Sequence, residues 1–318
     1  MTMSEAEGTR FQILSLDGGG ILGMFSAAVL AKLEEDLGVR VTDHFDLITG
    51  TSTGGIIALG LGLGLRPREI LQFYVGKGTC IFPRGLGLNR PKHLFRCKFS
   101  SAPLRQALQE CLQDKRLADS EKRLVIPSYN LDDNDVYLFK TPHNERLKRD
   151  FKVPMWKVAM ATSAAPTYFP AFREVDSIRL IDGGVWANNP TMVGIVEAVS
   201  MLGVPLDAIK VFSVGTFEEV AKQPRALNSG GLWGWRRAGI DVALRGQSVG
   251  AVAQAQHLLG KDRVHRLNPR VPAGLFAMDR VSTDELLSKA AHHSRIFGPT
   301  FEREFTPYTA PRYTPLFT

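Results

Sequence analysis

Residues Phe45 to Gly64 read FDLITGTSTGGIIALGLGLG, and this stretch decides the fold class. Phe45–Thr49 is a short apolar run of the kind a buried strand needs. It meets Gly50, and from Thr53 to Leu63 the chain is apolar and of helical length. The same rhythm occurs upstream. Phe11–Leu16 (FQILSL) reads as a buried strand, followed by the glycine turn Asp17-Gly18-Gly19-Gly20. An amphipathic helix is expected over Ile21–Leu37, with Leu22, Phe25, Val29, Leu30 and Leu33 at helical spacing and Gly38 as the stop. Strand, glycine turn and helix, twice over, predict an α/β fold with a mainly parallel sheet.

Further along, Leu124–Tyr129 and Asp135–Lys140 read as strands across the turn Asp132-Asp133-Asn134. Ile178–Ile181 and Ile209–Val214 are further strands. Helices are expected over Pro103–Leu117, Pro154–Thr162, Gly246–Leu259 and Thr283–Phe297, and from Pro190 to Leu202. No composition shift marks a boundary. Residues 1–318 therefore read as one domain, with loop insertions near 76–98 and 222–245.

Composition narrows the function classes. With 318 residues and 44% hydrophobic content the chain can bury a full core and is not intrinsically disordered. Its three cysteines (Cys80, Cys97, Cys111) build no disulfide framework and form no CxxC pair, so a reducing compartment fits and no metal is expected. Met1–Arg10 is polar and acidic, unlike a signal peptide. The longest apolar run, Ile56–Leu65, is half the roughly 20 residues that cross a bilayer. The net charge of +7 draws anionic partners, and basic residues concentrate in Arg84–Lys98 and Lys222–Arg245.

Three glycine turns carry the candidate chemistry. Gly50-Thr51-Ser52-Thr53-Gly54 matches GxSxG where a strand passes into a helix, the setting in which a serine is pushed out towards substrate. Gly50 and Gly54 leave room for strand and helix to pass closely. A second match, Gly246-Gln247-Ser248-Val249-Gly250, has no strand before it and is read as chance. In Asp17-Gly18-Gly19-Gly20 the amides of Gly18, Gly19 and Gly20 can converge on an anion such as a tetrahedral oxyanion. Gly18, Gly20 and Gly23 also fit GxGxxG, but Glu35 and Asp36 fall in the helix and Asp43 comes late for a ribose contact. Asp182-Gly183-Gly184 ends another short strand and offers a carboxylate to accept the serine proton. His257, His265, His292 and His293 follow no strand into a glycine-rich turn, so each reads as structural.

Together, LSLDGGGILG, FDLITGTSTGGIIALGLGLG and IDGGVWANNP resemble the three signature blocks of patatin-like phospholipases, in the same order. The resemblance covers Phe11 to about Val214. It implies a three-layer α/β/α sandwich with a mainly parallel central sheet, and a Ser–Asp dyad without metal or cofactor. Ser52 is then the nucleophile, Asp182 the base, and Gly183 and Gly184 complete the proton-acceptor motif. One departure is Leu22, where many members carry Arg or Lys. The opening FQILSLDGGG and the late GLWGW and RVHRLNP stretches are similar to bacterial patatin-like effectors of anti-phage signalling. That similarity implies a cyclic dinucleotide activator and antiviral defence.

A lipase must dock on membrane phospholipid. Trp233, Trp235, Arg236 and Arg237 suit the interface, with tryptophans for the headgroup region and arginines for phosphate. The expected location is cytoplasmic, peripheral at the inner membrane, and a homo-oligomer stays open. Two rivals are a constitutive esterase for soluble esters and a non-catalytic anion- or nucleic-acid-binding module. No helix-turn-helix, zinc or RNA-binding signature supports the second, so no nucleic acid is expected as partner.

Overall fold

The computed structural model of the chain describes residues 10–81, 97–220, 225–229, 231, 235, 238–272 and 282–318. Its described strands are β1 (Phe11–Leu16), β2 (Leu47–Gly50), β3 (Arg123–Asn130), β4 (Asp135–Lys140), β5 (Leu180–Asp182), β6 (Ile209–Val214), β7 (Glu218–Val220), β8 (Val264–Leu267) and β9 (Arg270–Pro272). Seven of them form one sheet in the order β4-β3-β2-β1-β6-β8, with β5 also on β3. Pairing is parallel from β3 through β2, β1 and β6 to β8. Strands β4 and β5 run antiparallel to β3.

Every residue of β1 is buried, as befits a central parallel strand covered on both faces. Its side chains alternate between two cores. Leu14 and Leu16 join Phe25, Ile48, Ile57 and Phe212 on one face. Phe11 and Ile13 join Leu47, Ile195, Val211 and Ala255 on the other. The first face is covered by α1 (Gly23–Leu37), α2 (Thr53–Gly62), α3 (Pro67–Ile81), α4 (Ala102–Leu112) and α5 (Met155–Thr162). After the single turn α6 (Gly184–Ala187), helices α7 (Thr191–Leu202) and α8 (Ala238–Leu259) cover the second. The last helix, α9 (Thr283–Glu304), returns to the first face and packs on α1. The result is the three-layer α/β/α sandwich.

Element bounds differ from expectation where packing overrides local signals. Helix α3 extends to Ile81, so the first residues of the 76–98 insertion are helical. Gly78 lets Ile21 pack close there, since a Cβ would lie 3.1 Å from the end of that side chain. Helix α8 begins at Ala238, eight residues before the apolar pattern suggests, so the end of the 222–245 insertion is helical too. The rest of both insertions lies largely outside the described residues. Helix α9 runs past Phe297 and through Pro299 because Phe301, in its last turn, is buried with its ring tilted against Phe45 and edge-on to Phe212.

The sheet also creates one juxtaposition that matters for function. Strand β2 pairs with Arg123–Val125 of β3 and then stops at Gly50. Strand β5 takes over the same edge of β3 at Ser128–Asn130. The end of β5 therefore faces the end of β2.

Candidate active site

Ser52 sits on that turn with φ 56° and ψ −121°. A non-glycine residue in this region carries about 1–3 kcal/mol of strain, which the surroundings must hold in place. The Ser52 amide donates to Thr162 Oγ1 at 2.9 Å, and the Thr162 hydroxyl donates to the Pro127 carbonyl at 2.6 Å. The Thr51 amide donates to Leu16 O at 3.1 Å, tying the turn to β1. Gly50 and Gly54 are required by the crossing of backbones. A Cβ at Gly50 would strike the Gly54 carbonyl, and one at Gly54 would come within 2.7 Å of the Asp17 oxygen. The Ser52 hydroxyl caps no helix amide. It lies in the same cavity as the Asp182 carboxyl and acts on its proton affinity.

Asp182 is 5% exposed at the end of β5. Its amide donates to Ala164 O at 3.0 Å, and Oδ1 accepts the Gly184 amide at 2.7 Å. Gly183 lies against the Pro127 carbonyl, so strand and turn pack closely enough to hold the carboxyl still. Burial pushes the Asp182 pKa up from 3.8 to about 6, against the opposing pull of the Ser52 hydroxyl and the Gly184 amide. A more basic carboxylate facing a serine hydroxyl is the arrangement proton acceptance needs.

The glycine turn after β1 lies beside Ser52. A Cβ on Gly18 would sit 3.3 Å from that of Ser52. Gly18 gives its amide to Asn188 O at 2.9 Å. Gly19 and Gly20 have no backbone acceptor for theirs among the described residues. Ser52, Asp182 and all three glycines line one cavity of about 600 Å³. Its remaining wall is largely apolar and includes Ile56, Phe73, Phe99, Leu104 and Phe169. The site thus joins a hydroxyl–carboxyl pair to a space suited to a hydrocarbon chain.

Several other residues shape the site. Asp17, buried just ahead of the glycines, is gripped by the two terminal guanidinium nitrogens of Arg266, at 2.8 and 2.5 Å. Burial raises the Asp17 pKa and the Arg266 charge opposes that rise. Leu22 packs partly into the core, and the cation paired with Asp17 is Arg266 of β8. Neither Arg266 nor Thr162 was expected from sequence. Arg266 lies inside RVHRLNP, but no spacing rule connects position 266 to position 17. Of the proposed membrane contacts, Trp235 is 45% exposed and donates its indole N–H to Leu227 O at 3.1 Å. Trp233, Arg236 and Arg237 lie outside the described residues. His265 is in β8, His257 in α8, and His292 and His293 in α9, and none of them lines the cavity.

The patatin-like phospholipase profile matches residues 14–195. The chain belongs to this family. It is 36% identical to the cGAMP-activated phospholipase of Vibrio cholerae serotype O1, over 92% of each chain. It is also 36% identical to the cGAMP-activated phospholipase of Escherichia coli strain TW11681, over 68% of this chain and 65% of that one. Among solved structures, VipD from Legionella pneumophila aligns with a TM-score of 0.52 at 12% identity. That alignment covers 94% of this chain and 69% of VipD, and the likeness is one of fold. Within the patatin-like family the GxGxxG reading of Gly18–Gly23 has no place. Ser52 and Asp182 stand in the family's matched segment, and Arg266 lies beyond it. No described helix of this family member is long and apolar enough to cross a membrane.

Proposed function

We propose that this patatin-like protein releases fatty acids from membrane phospholipid with a Ser52–Asp182 dyad, and that a cyclic dinucleotide switches it on. The observation that carries the hydrolytic reading is the buried Asp182 carboxyl sharing one largely apolar cavity with Ser52 on its strained turn. Ser52 Oγ attacks the ester carbonyl carbon as its proton passes to Asp182. The carbonyl oxygen becomes an oxyanion held by the free amides of Gly19 and Gly20, with Gly18 fixing their direction. The C–O bond to the leaving alkoxide breaks, Asp182 returns the proton, and lysolipid departs. Water then attacks the acyl-serine by the same route and frees the fatty acid.

The activator reading rests on the two relatives named as cGAMP-activated. The membrane reading rests on charge and rim. The net charge of +7 favours an anionic surface. Val185, 41% exposed, stands at the cavity, and Trp235 stands exposed just ahead of α8. The protein works peripherally at the cytoplasmic face of the inner membrane, in antiviral defence.

Fatty-acid release from vesicles of bacterial phospholipid, with and without cGAMP, tests this. Release is expected from wild type with cGAMP, and from neither Ser52→Ala nor Asp182→Asn. Equal release without nucleotide would remove the activator and keep the lipase. Hydrolysis of short soluble esters alone would remove the membrane substrate.

A further inference from the structure

We infer that helix α8 positions the glycine turn of the site, through Gln247 and Ser248 acting on Asn188. This rests on the hydrolase reading above and adds a brace that none of the three signature blocks contains. The second GxSxG match is the starting point. It lies within α8, between cavity-lining residues and the last turns of the helix.

Asn188 directly follows α6 with helical torsions, φ −58° and ψ −38°. Its amide leaves the short helix and donates to Gln247 Oε1 at 2.8 Å. Its side-chain Nδ2 reaches Ser248 Oγ at 3.3 Å. Asn188 then passes this anchorage on. Its carbonyl accepts the Gly18 amide at 2.9 Å, and its Oδ1 lies so close that a Cβ on Gly18 would come within 2.5 Å. From the other side, the Thr216 hydroxyl reaches the Gly18 carbonyl at 3.4 Å.

Gly18 is therefore clasped on both faces. With planar peptides and two soft torsions per residue, its orientation sets where the next two amides point. The same helix lines the cavity with Ala243 and Leu244. Leu244 and Ser248 are four residues apart and share a helix face. Seating α8 over the cavity and aiming the Gly19 and Gly20 amides are thus one event. Gln247 is a positioning residue: it touches no reacting atom and acts through Asn188.

Gln247→Met keeps side-chain length and removes the acceptor, whereas Gln247→Glu keeps an acceptor oxygen. Small displacements of transition-state donors are costly, so Gln247→Met is expected to lower kcat roughly tenfold. KM should change by less than about twofold, because the change falls on donors to the transition state and not on the apolar wall. The acid limb of the pH profile should not move, because Asp182 is untouched, and Gln247→Glu should recover most of the kcat. Amide exchange of the peptide spanning Asp17–Gly23 provides a readout independent of turnover. It should quicken in Gln247→Met and return towards wild type in Gln247→Glu. Unchanged kcat and unchanged exchange in Gln247→Met would overturn the brace. Wild-type protein that hydrolyses neither vesicles nor soluble esters would instead fail the hydrolase reading, and the exchange comparison would still decide the brace.

Discussion

The chain carries the pattern GxSxG twice, and the two copies have opposite physical characters. Around Ser52 the backbone turns sharply at φ 56°, and both flanking glycines lie where a side chain would strike backbone. Around Ser248 the backbone is the interior of α8, and neither Gly246 nor Gly250 has a neighbour within 4 Å of an added Cβ. One pattern is forced by a strand crossing a helix. The other satisfies the same spacing with no such demand, yet it touches the site through Asn188. A motif thus acquires meaning from the backbone torsions its context imposes, and proximity alone does not confer the role of nucleophile.

Exchanging the serines tests the contrast most severely. Ser52→Ala should cut esterase kcat by roughly 1,000-fold or more, since it removes the proposed nucleophile. Ser248→Ala should stay within about threefold, because it removes one long hydrogen bond. Comparable losses in the two would erase the distinction.

The flanking glycines should differ in the sign of their effect on stability. Gly54→Ala forces a methyl against the Leu16 and Asp17 carbonyls and should cost about 1–3 kcal/mol or more. Gly250→Ala, in open helix, should gain about 0.5–1 kcal/mol. Urea midpoints of the two variants measure this directly, and a stabilised Gly54→Ala would mean the elbow is looser than its geometry.

The finest test is pH. Asp182 titrates near 6 in the folded protein against 3.8 ordinarily, so its ionised form is the disfavoured one. Relative stability from this group is complete below about pH 4 and is lost as pH rises through about 6. Asp182→Asn should therefore raise Tm above pH 6 and leave it unchanged near pH 4. In wild type, kcat/KM should fall on the acid side with an apparent pKa of about 6, because the acceptor must be ionised. An acid limb near 4 would place the proton acceptor elsewhere.

Much of the layout was legible because it is local. The FQILSL and FDLIT runs each end in glycine, and a strand-to-helix turn of that sharpness leaves few other choices. The DGG after Leu180-Ile181 was likewise readable as a carboxylate on a turn. Helix α9 was legible only to Phe297, since Pro299 is a local stop that the aromatic burial of Phe301 overrides. Arg266 was invisible for a different reason. A buried carboxylate needs a cation, but sequence does not say which strand will bring it.

By itself, then, the sequence determined the junctions: where strands give way to glycine turns, and which side chains those turns expose. Backbone torsion preferences and hydrophobic period are properties of a few neighbouring residues, so they can be read in one dimension. Only the tertiary structure decided which junctions meet. The register of β3 places β5 in the row that β2 vacates and so sets Asp182 against Ser52. The pairing of β6 with β8 carries Arg266 to Asp17, and the seating of α8 brings Gln247 to Asn188. These contacts depend on hydrogen-bond register and close packing between segments far apart in the chain, which local sequence does not encode.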